Sequence, residues 1–167
     1  MSYKNHLRAQ LVQARQYSEG LLKAFQTPAE WLHQVHPKAN HPLWFAGHMA
    51  VVDDFFIRLV APDKSLPEPI FAELFGPGSQ PSPNMDDYPP PADVLRYMRD
   101  RRQALLAILD DLTDDDLNHP LPKAKGTPEF LRDWGSVFQM AAWHEGIHSG
   151  QVSVAHRALG HKPLAGG

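Results

Sequence analysis

The sequence predicts an all-α protein built as a four-helix bundle, and three features carry that reading. Four stretches repeat apolar residues at the three-to-four spacing of an amphipathic helix. No stretch alternates polar and apolar residues as a half-buried strand does, and no internal repeat competes. The stretches are separated by segments crowded with Pro, Gly, Ser and Asp, the residues of turns and connections. At 167 residues the chain reads as one domain, 1–167, long enough to bury a full core. Apolar residues make up 43% and charged residues 21%, an ordinary soluble balance. A net charge of -3 offers no basic footprint for nucleic acid. Without cysteine there is no disulfide, thiolate ligand or cysteine nucleophile, so a transition-metal site must draw on His, Asp or Glu. The start, Met1 to His6, lacks the apolar run of a signal peptide, and no apolar span is long enough for a membrane. The expectation is a cytoplasmic protein with no membrane partner.

The first helix spans residues 2–26, with Leu7, Leu11, Leu21, Leu22 and Phe25 at helical spacing, ending before Thr27-Pro28. Trp31 to Asn40 is a connection with a short helical piece, whose His33 and His36 read as surface residues. Asn40-His41-Pro42 opens the second helix, with proline at its first position, and this helix runs to about Leu59. His48 lies on its apolar face among Trp44, Phe45, Val51, Val52 and Phe55, where a buried imidazole needs a hydrogen bond or a metal. A long Pro-rich connection, Ala61 to Pro91, follows. Its apolar patch Ile70 to Phe75 suggests one short helix, and the whole is either a lid over a site or a packed crossover. The third helix runs from about Ala92 to Leu112, with Arg96, Arg99, Arg101 and Arg102 read as a solvated face. After an acidic turn at Thr113–Asp116 and a connection from His119 to Gly126, Thr127-Pro128-Glu129 supplies cap, proline and first-turn acid for the last helix. That helix extends to Leu159, with Gly160 as its stop.

The last helix carries the chemistry. His144 and His148 lie one turn and about 40° apart, so both imidazoles can face one ion. Glu145 falls near the centre of the buried stripe, where an ionised carboxylate needs a partner. On the opposite side Met140, Trp143, Ile147 and Val154 form a second apolar strip, suited to a subunit interface or to packing under the long connection. His144-Glu145-x-x-His148 also spells the zinc-protease signature. The third ligand fails to follow: the extended pattern needs Gly and His where Gln151 and Val154 stand, and His156 is about 12 Å further along the axis. With His48 from the second helix, the set becomes three neutral nitrogen ligands and at least one open position, as in catalytic rather than structural sites. Glu145 is the candidate base or supporting partner.

The segment Asn40 to His48, with its Trp44 and Gly47-His48, and His144-x-x-x-His148-x-Gly150-Gln151 on the last helix together resemble the DinB/YfiT-like family of small metal-binding four-helix bundles. The resemblance is to the damage-inducible protein, not to the DNA polymerase that shares the letters, and it covers nearly the whole chain. It implies a divalent metal, zinc or nickel, held by three histidines that map onto His48, His144 and His148. It also implies a small-molecule substrate: the wider superfamily includes S-transferases dependent on a low-molecular-weight thiol, a maleylpyruvate isomerase and hydrolases. It assigns no fixed role to Glu145. The expected function is therefore a metal-dependent, thiol-dependent S-transferase or a related hydrolase; the outer strip around Trp143 leaves open a homodimer or packing under the long connection. The alternative is a non-catalytic metal-binding stress protein or partner-binding bundle, and the plainest reading leaves the three histidines as hydrogen-bonded core residues.

Overall fold

The computed structural model describes residues 2–122 and 127–164. Lys123 to Gly126, the end of the expected second connection, lie outside the described residues. Among those described there are six α-helices and no strand beyond an isolated bridge between Pro120 and Asp133. Four helices are long: α1 (Tyr3–Leu22), α3 (Pro42–Val60), α5 (Pro91–Asp111) and α6 (Trp134–Ala158). Two are short: α2 (Pro28–Trp31) and α4 (Pro69–Phe75), the second on the apolar patch of the long connection. Helix α3 packs against α5, α6 and α4, and α1 packs against α6 and α5. Their inward faces form two apolar clusters. One gathers Leu43, Phe45, Phe75 and Met98; the other gathers Leu11, Ile57, Leu105 and Phe138.

Local chemistry accounts for the helix ends. His41 caps α3, its Nδ1 accepting from the Trp44 backbone N–H at 3.0 Å, and Pro42 takes the first position where no amide donor is needed. Gly160 sits at φ 85° just past α6, the left-handed residue that stops a helix. Helix α6 begins six residues later than the sequence suggests, with Asp133 as cap in place of Thr127. Thr127-Pro128-Glu129 forms a turn instead, because Asp133 owns a better cap. Its carboxylate accepts from the Ser136 N–H at 2.7 Å, and the Ser136 hydroxyl accepts from the Asp133 N–H at 3.1 Å. Backbone pairing of Leu121 N–H with Arg132 O, and of Trp134 N–H with His119 O, ties Arg132 and the extended Asp133 to the preceding segment.

The arginines of α5 do not share one solvated face. Arg96 and Arg99 are exposed, but Arg101 and Arg102 are buried. Arg102 makes a bidentate pair with Asp53 of α3, both contacts at 2.9 Å, and its Nη2 lies 2.8 Å from Glu145 Oε2 of α6. Arg15 of α1 closes the set, reaching Glu145 Oε1 at 2.7 Å and Asp53 Oδ2 at 2.9 Å. Two guanidinium groups and two carboxylates thus sum to zero charge inside the protein, one from each long helix. Spare donors are also used: Arg15 Nη1 gives to Met98 O and Arg102 Nη1 to Leu11 O. This is the condition under which buried charge is tolerable.

Candidate metal centre

Each triad histidine is placed by a different device. His48 lies in the second turn of α3, 4% exposed, with Trp44 one turn earlier stacked on its ring at 4.4 Å. Its Nδ1 is 2.6 Å from the Phe75 carbonyl, which can only accept, so Nδ1 carries the proton and Nε2 keeps its lone pair. Gly47 explains how that carbonyl comes so close. A Cβ at position 47 would land inside the Phe75 ring, so only glycine lets the end of α4 rest against α3 here. The Gly47-His48 pair is a steric device and a candidate ligand side by side.

His144 and His148 project from α6 toward His48. Ring centroids are 5.2 Å apart for His48 and His144, 4.9 Å for His48 and His148, and 4.5 Å for His144 and His148. One nitrogen from each ring lies within 4.8 Å of the others, the reach of a single ion after small side-chain movement. His148 Nδ1 is 3.0 Å from Gln151 Oε1, and the same oxygen accepts from Asn40 Nδ2 at 3.3 Å. Asn40 therefore turns the glutamine oxygen toward His148, which fixes the proton on Nδ1 and frees Nε2. Two of the three rings thus carry the outer hydrogen bond that orients a metal-binding imidazole.

Burial keeps these rings neutral. It pushes the His48 pKa down to about 4, with the Phe75 carbonyl opposing and His148 adding to the effect. His144 falls to about 3, through burial first and the neighbouring histidines next, against the pull of Asp53. His148 is lowered by burial as well, opposed by Gln151. At neutral pH all three offer uncharged nitrogen, as metal ligation requires. The residues present fit a divalent transition ion: three imidazoles, two with settled tautomers, on rigid helices, and no competing positive charge of their own.

His48 and His144 of the triad line an open groove of about 650 Å³, whose other walls are mostly apolar side chains of α3, α6, the long connection and the segment before α6. His144 is partly exposed and lines the groove beside His48, so the centre is reachable. The other expected residues fall elsewhere. Glu145 is fully buried and faced by two guanidinium groups. His41 is buried away from the triad, its Nε2 near Ser82 O and the Tyr88 hydroxyl. His36 is exposed, as expected, whereas His33 is half-buried. Trp143, Ile147 and Val154 are exposed on the outer side of α6, at 61%, 40% and 55%. Sequence reasoning gave no role to Gln151, Asn40 or Asp53. The first two lay within recognised motifs; nothing local marked the third.

The profile of the DinB superfamily matches residues 10–152, a span that includes all three histidines. The chain belongs to the DinB superfamily. Among curated proteins none matches its sequence. Within the matched span of this DinB-superfamily protein lie His48, His144 and His148, a cluster that could hold a metal ion.

Proposed function

We propose that this DinB-superfamily protein is a four-helix-bundle enzyme that holds zinc or nickel on His48, His144 and His148 and transfers the sulfur of a low-molecular-weight thiol to an electrophile. The observation that carries the reading is the meeting of three neutral imidazoles, with ligand atoms within 4.8 Å, beside an open groove. A structural site would be closed by a fourth protein ligand; the described residues bring three. What a divalent ion supplies in such a place is a lowered pKa for a thiol or water brought to it.

The chain's own residues do the rest. Phe75 O and Gln151 Oε1 hold the imidazole tautomers, and Trp44 limits rotation of His48. In the transfer a new S–C bond forms, the leaving group departs with its electron pair, and the thiol proton passes to solvent. For Glu145 we favour a supporting role over that of base, because both its oxygens already face arginines.

The test begins with elemental mass spectrometry of protein purified without a histidine tag, beside His48→Ala and His148→Ala proteins. About one equivalent of zinc or nickel, lost in both variants, is the expected result. Wild-type protein that stays metal-free after reconstitution would overturn the reading. An electrophile consumed only when thiol is present supports transfer; consumption without thiol points to the related hydrolase.

A further inference from the structure

The groove has a direction. His48, Val51, Val52, Phe55 and Arg58 line it from one side of α3, and ten residues of helix span about 15 Å. Tyr97, Phe130 and Met140 face these residues from other elements. Between the histidines and the far end the charged wall residue is Asp54, and it is already satisfied. Its oxygens accept from Ser65 Oγ at 2.7 Å and Leu66 N–H at 2.8 Å, and Arg101 lies at 3.3 Å. The exposed far end carries Arg58 and Glu68, opposite in sign, so the mouth favours neither anion nor cation. The Arg58 guanidinium lies 5.5 Å from the centre of the Phe55 ring, which extends the apolar floor outward.

From this we infer that the second substrate is an elongated, uncharged, apolar molecule, alkyl or aryl, whose body lies along α3 from the histidines to Arg58. Only the head of that molecule depends on the metal reading; the groove stands without it. A phosphorylated or polyanionic compound finds along this wall only the Arg58 guanidinium, at an end that also carries Glu68. A long apolar body displaces water from Val52, Phe55 and Tyr97 and gains in proportion to its length.

Two titrations of the full chain test this and separate it from the metal reading. The first uses N-phenyl-1-naphthylamine, an uncharged fluorophore with no metal-binding group, on wild type, Phe130→Glu and Met140→Glu proteins of matched circular dichroism. Phe130 is 57% exposed, so its replacement leaves the core intact. Binding to wild type, weakened about tenfold or more by either charge, is expected. The second compares acetohydroxamate with octanohydroxamate on zinc-loaded protein. The six added methylenes are expected to tighten binding at least about thirtyfold, well below the roughly fourfold per methylene of complete burial. Fluorophore binding indifferent to both charges, or hydroxamates that bind equally at either length, overturns the groove assignment. Hydroxamates that bind at neither length, with the fluorophore result as expected, uphold the groove and sink the metal reading instead.

Discussion

Replacing Glu145 with glutamine removes one negative charge from a set of four that sums to zero. The carboxylate is 0% exposed, with Arg15 Nε at 2.7 Å and Arg102 Nη2 at 2.8 Å. In the variant two guanidinium groups share the single carboxylate of Asp53, and their burial leaves little water to make up the difference. Removing one partner of a buried ion pair costs about 3–5 kcal/mol. For a chain of this size that corresponds to a melting temperature lower by roughly 10 °C. Urea unfolding followed by far-ultraviolet circular dichroism at about pH 7 measures it directly. A second variant sharpens the reasoning: Arg15→Gln with Glu145→Gln restores neutrality, so the double variant should lose less than the sum of the singles. Glu145→Gln within about 1 kcal/mol of wild type, or strict additivity in the double, would refute the account of the network. Metal stoichiometry in the folded Glu145→Gln protein should be unchanged, which a ligand role would not allow.

Gln151→Leu removes the acceptor from His148 Nδ1 and should weaken zinc binding about 10- to 100-fold in chelator competition, with little effect on helix content. Unchanged affinity would show that Gln151 does not orient the ring. The metal-free protein should lose stability as the medium is acidified, and the sign follows from the histidines. His48 and His144 have folded pKa values of about 4 and about 3, below the ordinary 6.5, so between these limits the unfolded chain binds more protons. Their contribution is complete above about pH 6.5 and is lost as pH falls through the folded values. Urea midpoints from about pH 7 to about pH 5 should fall more steeply for wild type than for His144→Phe; parallel slopes would contradict this.

What was legible in the sequence is what is local. Helical periodicity exposes α1, α3, α5 and α6, and the four-residue spacing of His144 and His148 exposes a shared face. His48 stood out because an imidazole in an apolar stripe needs a reason. The start of α6 was misread because cap signals recur: Thr127-Pro128-Glu129 and Asp133 with Ser136 both qualify, and only pairing with residues 119–121 decides between them. The burial of Arg101 and Arg102 was hidden because a binary pattern places charge outside, and their partners Asp53 and Asp54 belong to another helix. Gly47 shows the same limit. Its necessity lies in the ring of Phe75, 28 residues away in the chain and in contact only after folding.

The charge-neutral set also shapes how sequences of this kind can drift. Arg15, Asp53, Arg102 and Glu145 sit on four separate helices, and any single exchange of one of them for an uncharged residue strands a charge. Routes to uncharged residues keep the balance only when one acid and one base are removed together. A residue one position from a proposed metal ligand can therefore be held constant for reasons of charge balance, with no part in the chemistry beside it.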